Sequence, residues 1–207
     1  MQLYKSIMKN LFVTIFTLAS ISLFAQPAKK GSVPKMTPEF SKGYYINFKN
    51  DTVKGEVQNN MDKESDFYIS FNFKLKGATK GTEITPKKAK GYGFDDSHFT
   101  LLKMDQNDVY IKYLEHGRLN LMEYKYAGNG VDEGKILSLY FIVDSRATAD
   151  DKNGTNILTQ LNEKSHKKIL KPFFKDQPIL LEQVDKWFFK IDEVKKAVQE
   201  FNALYAN

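Results

Sequence analysis

Phe67-Tyr68-Ile69-Ser70-Phe71-Asn72-Phe73-Lys74-Leu75 sets Phe67, Ile69, Phe71, Phe73 and Leu75 in alternation with Tyr68, Ser70, Asn72 and Lys74. Successive side chains of a strand point to opposite faces, so this stretch predicts a strand with one buried and one wet face. That pattern belongs to antiparallel sheets, which cover one face and leave the other to water. Upstream, Tyr44, Ile46 and Phe48 share a face, Asn50-Asp51 supplies a turn, and Val53, Gly55 and Val57 follow, which predicts a β-hairpin. Downstream, shorter strands are expected at 82–85, 91–94 and 99–104. A second hairpin is expected over 108–114 and 119–126, closing on Glu115-His116-Gly117-Arg118. Its second strand changes apolar phase between Leu121 and Met122, which predicts a bulge near Leu121.

Residues 136–143 (ILSLYFIV) are almost continuously apolar, as expected of a strand covered on both faces, central in the sheet or beneath helices. The polar run 144–156 then ends the β region. From Ile157 the pattern reads as helical, through Leu158, Leu161, Ile169, Leu170 and Phe173 to a break at Lys171-Pro172, with a shorter helix after Pro178. Asp192 is the expected N-cap of a last helix whose stripe is Val194, Ala197, Val198, Phe201 and Leu204. The expected fold is α+β, a curled antiparallel sheet of about eight strands followed by about three C-terminal helices packed on it.

The chain of 207 residues has the length of one domain, and 42% hydrophobic content with 16 Phe and 11 Tyr supplies a core. It has no cysteine, so thiolate catalysis, Cys-ligated metals, iron–sulfur clusters and thiol-linked lipid anchors are excluded. Lys5 and Lys9 precede the uncharged apolar run from Leu11 to Ala25, the layout of a cleaved secretory signal. The expected organisation is a signal peptide over 1–25, a Pro-containing linker over 26–42, and one domain over 43–207. Within that domain 43–143 is β-rich and 157–206 helical. The mature protein is then exported, periplasmic or outer-membrane-associated or secreted, and is not an integral membrane protein. The alternative is a retained N-terminal anchor helix. Net charge is +6, but the lysines are scattered with short local runs such as 29–30 and 87–90, which gives little support to a nucleic-acid groove.

Several short motifs recur together. Gly43-Tyr44-Tyr45-Ile46 leads through Asn50-Asp51-Thr52-Val53-Lys54-Gly55-Glu56-Val57. Ile84-Thr85-Pro86 leads into Lys90-Gly91-Tyr92-Gly93-Phe94, and the C-terminal region carries Phe201-Asn202. This set resembles a group of exported β-rich proteins of Bacteroidetes-type bacteria. The resemblance implies a β-rich domain in the envelope or outside the cell and carries no activity with it. The same residues have structural uses, Asp51-Thr52 in satisfying turn backbone and Gly55, Gly91 and Gly93 in bulges or close approaches.

Candidates for chemistry are few. His98, His116 and His166 show no metal-ligand spacing among themselves. Asp95-Asp96-Ser97-His98 is the one compact polar cluster that fits a general base or a metal, and Asp and Ser are also ordinary turn formers. His116 falls in the second hairpin turn, and His166 among lysines on an expected helix surface. Asp151-Lys152-Asn153-Gly154-Thr155 departs from a calcium loop in its glycine position and its twelfth residue, Asn162. No phosphate-cradling or nucleophile-elbow motif occurs, and no cofactor is expected. The tyrosines, above all Tyr68, Tyr110, Tyr124 and Tyr126, offer a platform for a glycan or an envelope protein if they lie on the wet face, although tyrosine also simply suits strands. The expected function is a non-enzymatic envelope protein that binds a partner or ligand on a sheet face or between sheet and helices. The alternative is an envelope hydrolase whose acid and base, Asp95 or Asp96 with His98, are assembled by the fold.

Overall fold

The computed structural model of the chain describes residues 37–104, 106–146, 158–186 and 188–206. The expected signal peptide, most of the expected linker and the segment compared with a calcium loop lie outside the described residues. The elements are β1 (Phe40–Asn47), β2 (Thr52–Gln58), a 3₁₀ turn (Glu64–Tyr68), β3 (Phe71–Lys74), β4 (Thr82–Ile84), β5 (Ala89–Phe94), β6 (Ser97–Met104), β7 (Asn107–Glu115), β8 (Leu119–Ala127), a second 3₁₀ turn (Gly130–Asp132), β9 (Ile136–Asp144), β10 (Thr159–Leu161), α1 (His166–Phe174), α2 (Pro178–Lys186) and α3 (Ile191–Ala203). All strands join one antiparallel sheet in the order β10-β9-β8-β7-β6-β5-β1-β2-β3-β4, open at both edges. The architecture is therefore α+β with ten strands, not about eight. The edge strand β4 falls in the stretch expected at 82–85, whereas the other edge strand, β10, lies within the stretch from 157 expected to be helical.

Sequence and structure differ most over 67–75. Phe67 and Tyr68 close the first 3₁₀ turn, in which Asp66 O accepts from the amides of Ile69 and Ser70, and only Phe71–Lys74 pair as a strand. The turn lets two consecutive aromatic rings enter the same core, which a strand forbids. As a result Tyr68 is buried, at 1% exposure, while Ile69 and Leu75 stand 60% and 56% exposed. The linker also ends sooner than expected, because β1 begins at Phe40 and Asn60 clamps the incoming chain by accepting from Glu39 N and donating to Thr37 O. In the β1–β2 turn it is Asn47, not Asp51-Thr52, that satisfies the backbone. Its Oδ1 accepts from Lys49 N and Asp51 N, and Asn50 takes φ 69°.

The inner face of the sheet carries two cores. Over β2 to β7, Phe71 stacks on Tyr92 at 3.9 Å and Tyr92 on Phe99 at 4.5 Å, with Val57, Phe73, Ile84 and Tyr110 around them. Gly55 lies beneath this cluster. A Cβ there would come within 2.4 Å of the Phe73 ring, so glycine is required by close approach. Over β8 to β10, Leu119, Leu121, Ile142 and Leu161 meet Leu170, Phe174, Leu180, Val184, Val194, Ala197, Val198 and Phe201 from the three helices. β9 lies beneath the helices, next to the edge strand, with Tyr140 against the helix core on one side and Phe141 in a smaller cluster with Ile111 and Met122 on the other.

β7 and β8 pair only through Lys112↔Glu123, Tyr113↔Met122 and Glu115↔Leu121. The expected bulge is present at Leu121 but on the facing strand, where Leu114 is the extra residue and joins the helix core. α1 runs through Pro172 and stops at Phe174. α3 starts one residue before Asp192 with Lys190 at the N-cap, and Leu204 falls beyond the helix, exposed.

Candidate functional site

The expected tyrosine platform divides in two. Tyr68 and Tyr110 are core residues, not surface residues: Tyr110 is fully buried and donates to Ala89 O at 3.3 Å, and Tyr68 donates to Glu123 Oε2 at 3.2 Å. Burial pushes both phenols above their usual range, and the Glu123 charge adds to the shift of Tyr68. Tyr124 and Tyr126 are half-buried and stacked at 6.1 Å, with Tyr124 edge-on to Tyr68 at 5.6 Å.

Tyr68 connects this aromatic group to a buried carboxylate. Glu123 is 7% exposed, accepts from Tyr68 and from Ser138 Oγ at 3.3 Å, and lies 3.7 Å from Lys125 Nζ, which reaches on to Glu64. Burial draws the Lys125 ammonium down, but Glu64 and Glu123 outweigh it and hold it above its usual range. Glu123 was legible in principle, since it follows Leu119 and Leu121 at strand spacing and so falls on their apolar face. The network joins the first 3₁₀ turn to β8 and β9, and its polar groups satisfy one another.

Asp95 and Asp96 form the two-residue turn between β5 and β6, exposed, with Asp95 at φ 48°. Neither makes a hydrogen bond to His98 among the described residues. His98 is exposed and its Nδ1 lies 3.0 Å from the Tyr44 hydroxyl across the outer face. His116 packs against the Tyr113 ring in the β7–β8 turn. His166, expected on a helix surface, is 3% exposed. Its Nδ1 lies 2.9 Å from Glu163 O, while Nε2 is buried without a partner beside Phe189. No cluster of three or more potential metal ligands occurs among the described residues.

The outer face of β1, β2 and β3 assembles what the linear sequence scatters. Register sets Lys42 opposite Glu56, Tyr44 opposite Lys54, and Glu56 opposite Lys74, so these side chains share the face away from the core. Three shallow depressions of about 430, 380 and 380 Å³ follow one another across it. Their walls carry Lys42, Lys54, Lys74, Lys76 and Lys80, and a single carboxylate, Glu56. Glu56 is already committed to Lys74 at 2.5 Å, and Lys74 also lies 4.5 Å above the Phe40 ring. The other four lysines are exposed and make no ion pair among the described residues. Charge runs along the chain miss such a surface. The signal is lysine on the wet phase of three successive strands.

A further cleft, of about 460 Å³ between Ile69, Glu83, Pro86 and Asp108, has mixed charge, and its Ser70 hydroxyl donates to Glu83 at 2.7 Å. No described helix is long and apolar enough to cross a membrane. Comparison of the chain with protein-family models, with curated proteins and with solved structures returns no match.

Proposed function

We propose that this chain is an exported, non-enzymatic protein of the cell envelope that acts as an interaction or ligand-binding module through the lysine-lined outer face of β1–β3. The observation that carries the reading is the imbalance on that face, five lysines against one carboxylate that is already paired. Such a surface attracts an anionic partner and is otherwise self-repelling. The positive n-region and apolar run of residues 1–25 support export, with the mature chain periplasmic, outer-membrane-associated or secreted. The competing hydrolase reading needs Asp95 or Asp96 to act on His98. The exposed turn that holds both carboxylates gives it no water-excluded site.

Envelope fractionation of the native protein tests the reading. Intact mass should place the N-terminus at or near Gln26. The protein should sediment with envelope material at low salt and be released as salt rises, because exposed charges are screened within about 10 Å at 0.1 M. Lys42→Glu/Lys54→Glu/Lys76→Glu should remain unbound, whereas Asp96→Ala/His98→Ala should sediment like the parent and keep its stability within a few tenths of a kcal/mol. Equal sedimentation of the lysine variant would remove the proposed face from the function.

A further inference from the structure

We infer that the occupant of this face is a linear polysaccharide bearing carboxylates, a uronic-acid polymer, laid across β1, β2 and β3; the inference rests on the binding-module reading above. Four observations select that chemistry.

The positive charge is delivered by lysines alone. The chain has two arginines, Arg118 and Arg146, and neither lines the groove. Arginine's planar fork holds a carboxylate or a phosphate in one fixed bidentate geometry, whereas lysine presents a mobile point charge. A row of mobile ammoniums suits anionic groups repeated along a flexible polymer, which need no single fixed geometry.

The lysines are spread over strands. Neighbouring strands lie roughly 5 Å apart, so Lys42 on β1, Lys54 on β2 and Lys76 just beyond β3 form a charged track that crosses the strands. A ligand with charge on successive units meets one ammonium after another along such a track.

Neutral hydrogen-bonding groups separate the charges. Thr52, Gln58, Asn72 and Thr79 line the same depressions. Asn72 Nδ2 donates to Gln58 Oε1 at 2.8 Å, and Gln58 Nε2 donates to Asn60 O, so that Asn72 Oδ1 has no partner among the described residues and can accept from a hydroxyl. Amides and hydroxyls between ammoniums match a ligand that carries hydroxyls between carboxylates.

Two aromatic side chains mark the ends along β1. Phe40 and Tyr44 share the outer face four residues apart, roughly 13 Å at the rise of a strand. Aromatic rings offer apolar surface to the C–H faces of sugar rings.

The test uses the mature protein with three polymers: polygalacturonate, neutral dextran and poly-L-glutamate. Binding is measured by calorimetry at low and high salt. Polygalacturonate should bind and dextran should not. Lys42→Glu/Lys54→Glu/Lys76→Glu should weaken polygalacturonate at least about tenfold, equivalent to about 1.4 kcal/mol. Lys164→Glu/Lys168→Glu/Lys175→Glu makes the same change of net charge near α1 and should alter affinity less than about twofold. Tyr44→Ala should weaken polygalacturonate and leave any binding of poly-L-glutamate unchanged, since only the sugar uses the ring. Circular dichroism establishes that each variant is folded. Equal losses in the two lysine triples would overturn the inference, because diffuse charge would then explain binding. Groove-dependent binding of poly-L-glutamate alone would overturn the sugar while leaving the lysine face as a binding site, and failure of both polymers would overturn both readings.

Discussion

Glu123 places a carboxylate on the face that Leu119 and Leu121 devote to the core, and it is held there by two hydroxyl donors, Tyr68 and Ser138, and by the Lys125 ammonium 3.7 Å away. An unpaired charge at that depth would cost several kcal/mol, so the donors are a condition of the fold. Tyr68→Phe removes one of them and should destabilise the protein by about 1.5–3 kcal/mol, the range for hydrogen bonds to charged groups, as read from urea melts. The buried phenols also make a pH prediction. Burial raises Tyr68, Tyr92 and Tyr110 above the ordinary tyrosine value, so the unfolded chain loses these protons first. Their contribution to stability is full below about pH 10 and declines as the pH rises from there toward the folded values. In an alkaline titration, part of the phenolate absorbance should therefore appear only with unfolding. Complete ionisation of every tyrosine while the near-ultraviolet dichroism persists would contradict this. From sequence Tyr68 and Tyr110 read as surface candidates because tyrosine is amphipathic. The partners that allow their hydroxyls to be buried, Glu123 and Ala89 O, lie 55 and 21 residues away.

At the scale of elements, α3 is fastened to the sheet by one side chain as much as by its apolar stripe. Asn202 Oδ1 accepts from Leu119 N at 2.8 Å and its Nδ2 donates to Leu119 O at 2.9 Å, so the amide pairs with the first residue of β8 as a neighbouring strand does. Gly117 makes room for this clamp, since a Cβ there would lie 2.6 Å from the Asn202 amide. Arg118 adds its guanidinium over the Tyr205 ring at 3.6 Å. Asn202→Ala should cost about 1–3 kcal/mol, the penalty of leaving buried backbone groups unpaired, and Asn202→Asp should fail to restore it because the donor is lost. Urea midpoints of both variants decide the matter, and an unchanged midpoint would show that water replaces the amide. The two hairpins and the stripe of α3 were legible because local period and turn residues agree there. The 67–75 alternation misled because the 3₁₀ turn that carries Phe67 and Tyr68 into the core is fixed by distant contacts with Phe94, Phe99 and Tyr124. β10 was missed because three residues hold no period; it exists through pairing with β9. The lysine face escaped for the same reason, since strand order and register place Lys42, Lys54 and Lys76 together.

For the whole molecule, the two inner cores communicate through a narrow join. β7 and β8 share three residue pairs, and the bulged Leu114 reaches from β7 into the helix core. The first 3₁₀ turn and the Glu123 network bridge the same place, linking the aromatic core to β8 and β9. A join of this kind predicts one cooperative unit, in which damage to the helices reaches the aromatic stack. Phe201 is buried against Phe174, and Phe201→Ala should cost about 3–5 kcal/mol. That is a large part of the about 5–15 kcal/mol that holds a domain together. Removing residues 187–207 takes away Val194, Ala197, Val198 and Phe201 together and leaves Leu119, Leu121, Leu170 and Phe174 without their cover. An isolated helix of this length is marginal in water, so α3 draws its own stability from the same contacts. The truncated chain should keep far-ultraviolet sheet signal, lose near-ultraviolet dichroism, and bind a hydrophobic dye, the marks of a compact state without fixed packing. In the full chain the two signals should melt together, as a single unit requires. A truncated chain that melts sharply at the parent's midpoint would mean that the β1–β7 half folds alone and that α3 is a docked arm.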